Sequence, residues 1–138
     1  MIIAIKEKDR VVVGYSNTDY WDKLTDADYV DEENVPIKFT EDGTLISFAK
    51  MDRSTDIFMY DDEFLNHEIT SKSIIRDVIP YMKNTLEKNN KPLDDEGRWH
   101  NALVICRDDK IYDLDTRFVF READDYICHA FSYELIQS

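Results

Sequence analysis

The side chains best suited to nucleophilic chemistry in this sequence are two cysteines. Cys106 ends the apolar run 102–106, where a thiol usually acts as a small buried hydrophobic group. Cys128 and His129 are neighbours on a predicted strand, so they face opposite sides and cannot form a nucleophile–base pair with each other. A cross-strand pair of Cys106 or Cys128 with His100 stays open. We favour a structural role for both thiols.

Carboxylates are candidate cation ligands where Asp26, Asp28 and Asp31 follow one another at short spacing. This spacing resembles a calcium loop, but Val30 occupies the fifth position, no glycine follows and the closing glutamate is absent. The three histidines are scattered and lack the paired spacing of zinc ligands. We therefore predict no metal site and no cofactor. Adventitious calcium or magnesium on these aspartates is the open alternative.

The segment 94–100 places two aspartates and a glutamate shortly before His100. Paired carboxylates beside a histidine are able to do acid–base chemistry. We favour a polar connector whose Trp99 covers the edge of the core. The three glycines of the chain lie too far apart for a phosphate-binding loop, so nucleotide binding through such a loop is not expected.

Length and charge restrict the class of protein. The chain has 138 residues and a formal net charge of −13, with 43% hydrophobic and 12% aromatic residues. This length predicts a single domain over 1–138 with one hydrophobic core. The negative charge argues against direct binding of nucleic acid, which needs lysine and arginine at the phosphates. No apolar run is long enough for a membrane span and no secretory signal is visible, so we expect a cytoplasmic protein.

Acidic residues concentrate between Asp19 and Glu33, where seven acids stand beside a single base, Lys23. Self-repulsion at this density predicts a long solvated loop. One functional hypothesis is that the 19–33 loop presents its carboxylates to a basic protein partner, as a mimic of nucleic-acid charge. The candidate partner-binding residues are Asp26, Asp28, Asp31, Glu32 and Glu33.

Two pairs of short β-rich runs begin the chain. The runs at 2–5 and 11–13 flank a short polar stretch and predict a β-hairpin. Both runs are continuously apolar, which is typical of strands covered on two faces. The runs at 35–39 and 44–49 predict a second hairpin around a turn at 41–43.

The middle of the chain has the apolar spacing of helices. This spacing predicts one helix over 52–65 and a second over 74–86. Pro80 conflicts with the second helix, because an interior proline removes a hydrogen bond. We therefore keep the helix and expect a bend near residues 76–80.

Short strands return in the last third of the chain. Four runs predict them: 102–106, 110–115, 117–122 and 126–130. In the third run, Phe118 and Phe120 are expected to share one face. The order of two hairpins, two helices and then antiparallel strands predicts an α+β fold rather than a parallel α/β fold.

This pattern resembles that of proteasomal β-subunits and their bacterial relatives. The similarity rests on 2–6 (IIAIK), 10–14 (RVVVG), 34–38 (NVPIK), 44–49 (TLISFA), 103–114 and 126–132 (YICHAFS). With the two helices it covers about residues 2–134, although the glycine-rich turns of the family are missing. Those proteins are N-terminal-nucleophile (Ntn) hydrolases, and the resemblance implies their αββα sandwich of antiparallel sheets.

The resemblance also implies a catalytic site at the start of the first strand. The family uses an N-terminal Thr, Ser or Cys whose own amine is the base, but this chain begins with Met1. The family's catalytic aspartate falls at Ser16 or Asn17, and its catalytic lysine falls near Ile37. A shift of one residue to Lys38 points the side chain to the opposite face of the sheet. The chain also ends where the family continues, so we expect a C-terminally truncated sandwich without the catalytic residues.

Three functional hypotheses follow. The favoured one is a non-catalytic Ntn-hydrolase-like protein that acts by assembly or binding, as a homodimer or larger oligomer. The second is the acidic interaction protein with its 19–33 loop. The third is a peptide or amide hydrolase with a processed N-terminus, whose site is formed by Asp19, Lys38 and a terminal amine.

Overall fold

The computed structural model describes residues 2–8, 10–15 and 36–129. The strands in these ranges are β1 Ile2–Lys6, β2 Val11–Tyr15, β3 Ile37–Phe39, β4 Leu45–Phe48, β5 Leu103–Arg107, β6 Lys110–Leu114, β7 Phe120–Ala123 and β8 Tyr126–His129. The helical segments are α1 Arg53–Met59, α2 Asp62–Leu65, α3 Ser71–Ser73, a π-helical turn Ile74–Val78 and α4 Ile79–Lys88.

The described strands form two antiparallel sheets. The smaller sheet has the order β2-β1-β8, and the larger sheet has the order β3-β4-β5-β6-β7. Both predicted hairpins, β1–β2 and β3–β4, are confirmed by the pairing of their strands. The helices lie between β4 and β5 in the sequence, so the predicted α+β class is confirmed.

The helices cover one face of the five-stranded sheet with aromatic side chains. Phe48 of β4 and Phe58 of α1 stack with their ring centroids 6.1 Å apart, and Phe64 of α2 lies 4.9 Å from Phe58. The ring of Trp99 stands edge-on to Phe48 at 6.2 Å. Burial of these large apolar groups is the main stabilising contribution of this layer. Aliphatic side chains complete this core: Ile46, Ile74, Val78, Met82, Leu86, Leu103, Ile105 and Leu114.

Small side chains join the other face of the five-stranded sheet to the three-stranded sheet. Ala4 of β1 lies in one buried cluster with Ala49, Ala102 and Val104 of the larger sheet. Side chains of this size allow two sheets to pack closely. The described residues thus form a helical layer, a five-stranded sheet and a three-stranded sheet. The second helical layer expected of the sandwich is not present among them.

The first predicted helix, over 52–65, is wrong in one respect, because two short helices replace it. The backbone of Asp61 is extended (φ −103°, ψ 100°), and its Oδ1 accepts a hydrogen bond from Phe64 N at 3.2 Å. Asp52 caps α1 in the same way by accepting from Thr55 N at 3.1 Å. A short carboxylate at each N-cap satisfies amides that the helix leaves unpaired, so a second helix begins at Asp61.

A π-helical turn lies just before Pro80, where the sequence predicts a bend near residues 76–80. Proline has no N–H, so the carbonyl of Arg76 has no donor four residues later. The helix widens just before it into the π-helical turn Ile74–Val78, where Ile79 N donates to Ile74 O. The helix then continues as α4 to Lys88.

Strand β7 begins at Phe120, three residues later than the sequence predicts. Asp115 folds the preceding residues into a turn, because its Oδ1 accepts a hydrogen bond from Val119 N at 3.1 Å. Phe118 adopts the left-handed conformation with a φ of 60° and stacks on Trp99 at 5.5 Å. Phe118 therefore lies outside β7, but Phe118 and Phe120 both pack against the aromatic core, as expected of two residues that face the same way.

The aromatic core generates a prediction about stability. Phe58 is fully buried, so Phe58→Ala is expected to lower the free energy of unfolding by about 3–5 kcal/mol, since it removes apolar contacts and leaves a cavity. Tyr60 is 87% exposed and serves as the matched control, with an expected change of less than about 0.5 kcal/mol for Tyr60→Ala. Urea unfolding followed by circular dichroism measures both. Equal losses in the two variants would contradict the assignment of Phe58 to the core.

Candidate functional site

The candidate site lies at the end of the stacked sheets where β1 begins. Ile2 pairs with Tyr15 at the end of β2 and with His129 at the end of β8. At the other end of β1, Lys6 Nζ lies 3.8 Å from Asp109 Oδ2 in the β5–β6 turn. Because β5 runs towards that turn, the start of β5 and the end of β4 lie at the same end as Ile2. The start of β1, the ends of β2 and β8 and the β4–α1 connection therefore lie at the same end of the two sheets.

Strand β3 supplies two of the residues that the sequence places at this site. Ile37 pairs with Ser47, and Lys38 pairs with Ile46. Paired residues share a face of a sheet, and Ile46 belongs to the core under the helices. Lys38 therefore lies on the helical side, where it is exposed, whereas Ile37 lies half-buried on the inter-sheet side.

The other predicted site residues lie outside the described residues. They are the family-equivalent positions Met1, Ser16 and Asn17 and the acidic candidates Asp26, Asp28, Asp31, Glu32 and Glu33. Asp19 of the third hypothesis lies there as well. Among the described residues of the larger sheet, this end consists of parts of β3, β4 and β5 and of the β4–α1 connection.

Asn101 holds the β4–α1 connection in place. Its Oδ1 accepts hydrogen bonds from Lys50 N at 3.2 Å and from Ala102 N at 2.8 Å. Its Nδ2 donates to Lys50 O at 3.1 Å and to Thr55 Oγ1 at 3.0 Å. The side chain is fully buried, so these bonds satisfy polar groups that are removed from water. The sequence analysis missed this residue.

A second set of hydrogen bonds ties the same connection to the aromatic core. Trp99 Nε1 donates to Ser54 Oγ at 3.0 Å, and Ser54 Oγ donates to Asp52 Oδ1 at 2.5 Å. Thr55 Oγ1 donates to Lys50 O at 2.7 Å. The backbone of Lys50 is thus engaged through both its N–H and its carbonyl, and the connection is rigidly positioned.

Two polar side chains lie on the inter-sheet face of the larger sheet. Ser47 and Asp113 are both paired with Val104, from opposite sides of β5, so they face the same way. Ser47 Oγ is buried and has no hydrogen-bond partner among the residues that the structure describes. Asp113 is 5% exposed, and its Oδ2 lies 3.7 Å from Arg121 Nη2. The sequence analysis singled out neither residue, because single polar residues in apolar strands have no distinctive spacing.

The thiol of Cys106 is not arranged for catalysis. It is buried in the inter-sheet cluster, and this burial raises the pKa of Cys106 to about 12. His100 stands six residues earlier along a largely extended segment, about 20 Å away at the usual rise of a strand. The pairing of Cys106 with His100 is therefore not formed. The side chain of Cys128 is not among those that the structure describes.

The acidic connector 94–100 forms a structural turn. Asp94 Oδ1 accepts hydrogen bonds from Glu96 N and Arg98 N, both at 2.9 Å, and these bonds lower the pKa of Asp94. Trp99 is buried, as the sequence predicts. No group of three or more His, Cys, Asp or Glu able to hold a metal ion occurs in residues 2–8, 10–15 and 36–129.

The comparisons with known proteins identify a similar fold. No protein-family model and no curated protein matches this chain. A solved structure of Thiobacillus denitrificans BPH in complex with epoxomicin is similar with a TM-score of 0.72, and a second BPH structure has a TM-score of 0.71. Each match covers 94% of this chain and 71% of the BPH chain at 14% identity. At this identity the likeness concerns the fold alone.

None of the helices in the described part of the chain has the length and apolar character that crossing a bilayer requires.

The polar groups of the candidate site are engaged chiefly with one another, through Asn101, Asp52 and Thr55. This arrangement fixes the shape of the β4–α1 connection, which is suitable for a rigid binding surface.

The buried role of Asn101 can be tested by substitution. Asn101→Ala leaves the amides of Lys50 and Ala102 without acceptors, so we expect a loss of at least about 2 kcal/mol in the free energy of unfolding. Asn84→Ala in the exposed part of α4 is the matched control, and it should change stability by less than about 0.5 kcal/mol. Chemical denaturation measures both. Similar stability of the two variants would contradict the role given to Asn101.

Proposed function

We propose that this protein has an Ntn-hydrolase-like sandwich without hydrolase chemistry, and that it acts by assembly or binding. The stacking of two antiparallel sheets under a helical layer supports the fold. The similarity to Thiobacillus denitrificans BPH over 94% of this chain also supports it. The observation that carries the functional part is the register of β3.

The register of β3 places a hydrocarbon where the family resemblance expects a catalytic lysine. Ile37 lies on the inter-sheet side and can neither carry positive charge nor transfer a proton. Lys38 pairs with Ile46 on the opposite face, so its ammonium group is directed away from the inter-sheet space.

The β4–α1 connection gives independent support. Stabilising a negatively charged transition state requires N–H groups that point at the reacting atom. The N–H of Lys50 instead donates to Asn101 Oδ1 within the protein. A rigid and internally satisfied connection is better suited to presenting a surface than to receiving a substrate.

A hydrolysis and binding assay tests this proposal. We expect the purified chain to cleave no fluorogenic peptide above the buffer blank and to form no complex with epoxomicin in native mass spectrometry. The BPH of Thiobacillus denitrificans, solved with epoxomicin bound, is the positive control for binding. Intact mass measurement on the same sample identifies the N-terminal residue.

Two results together would overturn the proposal. One is peptide or amide turnover that disappears when the terminal amine is acetylated. The other is an N-terminal Thr, Ser or Cys in the intact mass, since only these residues supply the required nucleophile. Both would support the hydrolase with a processed N-terminus.

A second candidate function rests on the charge of the 19–33 segment. Its seven acids in a chain of net charge −13 favour a basic protein partner. We expect a fluorescent lysine- and arginine-rich peptide to bind the chain at low salt and to dissociate as ionic strength rises, because salt screens exposed charges.

Replacing Asp26, Asp28, Asp31, Glu32 and Glu33 by their amides should abolish binding of this peptide. The matched control neutralises five acids that are exposed elsewhere: Asp56, Asp62, Glu63, Asp77 and Glu87. Binding that resists the first set would exclude this function.

A further inference from the structure

We infer that the edge of β2 that has no partner among the described residues pairs with the same edge of a second copy of this chain, so that two three-stranded sheets become one continuous sheet. This inference rests on the assembly role proposed above and names the surface that performs it. An antiparallel pairing of identical strands obeys a two-fold axis, which is the commonest symmetry of homodimers.

The backbone of β2 provides a complete set of outward hydrogen-bonding groups. Among the described residues β2 pairs with β1 alone. Glu7 N donates to Arg10 O at 2.8 Å, and hydrogen-bonded pairs alternate along an antiparallel ladder from that point. The N–H and C=O groups of Val11, Val13 and Tyr15 therefore point away from β1. Such groups are a template for an added strand.

The side chains of β2 leave this edge unprotected. Val11–Tyr15 contains no charged residue and no proline, and Val12 is 44% exposed. The edges of the larger sheet differ, since β3 has three residues and an exposed Lys38, and β7 carries exposed Arg121 and Glu122. Proteins protect free edges with charge, proline or short length, so an uncharged five-residue edge is typical of a strand that has a partner.

The charge distribution favours a second copy at this place. Residues 2–15 contain three basic and two acidic side chains, although the whole chain has a net charge of −13. The excess negative charge thus lies entirely outside this hairpin. A contact between two copies of this hairpin therefore brings together little net charge and places uncharged strands beside each other, which this acidic chain opposes less than a contact through an acidic stretch such as 19–33.

Proline substitution tests the inference with a matched control. Val13→Pro removes an outward N–H and leaves the bonds between β2 and β1 in place. Phe39→Pro removes an outward N–H from β3 in the same way. Thr40 N donates to Thr44 O, and hydrogen-bonded pairs alternate along the β3–β4 ladder, so the N–H of Phe39 points away from β4. Light scattering over a range of concentrations measures the mass of the wild-type chain and of both variants. Circular dichroism checks that each variant is folded.

We expect the wild-type chain to form a dimer, Val13→Pro to raise the dimer dissociation constant at least about tenfold, and Phe39→Pro to leave it unchanged. A wild-type chain that is monomeric at every concentration would overturn both the inference and the assembly role. A wild-type oligomer that Val13→Pro does not weaken, or that Phe39→Pro weakens equally, would overturn the inference alone. Neither result bears on hydrolysis, which the peptide assay tests separately.

Hydrogen exchange of the wild-type chain provides a test that does not depend on a folded variant. The amides of Val11, Val13 and Tyr15 should be protected at high concentration and should lose that protection on dilution. Protection that persists in the monomer would show that residues of the same chain cover the edge, and the inference would then be wrong.

Discussion

Burial of the central strand β5 on both of its faces is the constraint on which the rest of this structure depends. Along β5, Leu103 and Ile105 face the helices, whereas Val104 and Cys106 face the smaller sheet, and all four are buried. A slip of one residue would exchange the two sets and place large side chains against small ones. The register of β5 is therefore fixed, and through hydrogen bonding it fixes β4 and then β3. The orientation of Ile37 at the candidate site is a consequence of packing.

The same constraint explains why the polar groups of the site are engaged internally. The connection after β4 runs beside the aromatic core and the start of β5, where Ala49 is buried and Lys50 and Asp52 are half-buried, so its backbone groups need partners within the protein. Asn101 and Thr55 supply the missing donors and acceptors, and Trp99 joins this network to the core. A connection held in this way has one shape. Rigidity of this kind is consistent with the binding or assembly role that we propose, because a preformed surface loses less conformational entropy on binding.

Much of the fold could be predicted from the sequence, because periodicity and turn chemistry are local. Both N-terminal hairpins, the helical middle and the antiparallel strands after it follow from such patterns. The predicted single helix over 52–65 and the predicted start of β7 are wrong, and both errors come from hydrogen bonds of aspartate side chains. Asp61 caps a new helix within the predicted one, and Asp115 folds a turn that delays β7. Short carboxylates compete with regular structure through hydrogen bonds whose formation depends on the surrounding packing.

The sequence by itself determined the types of element, their antiparallel order and the uneven distribution of charge, since each is carried by neighbouring residues. The tertiary structure alone decided which face Ile37 and Lys38 occupy and which residue holds the site together. Asn101 bonds to Lys50 across 51 positions of the chain, and no spacing in the sequence marks that pair. Strand register and buried hydrogen bonds join residues that are distant in sequence, so they exist only once the two sheets and the helices have packed.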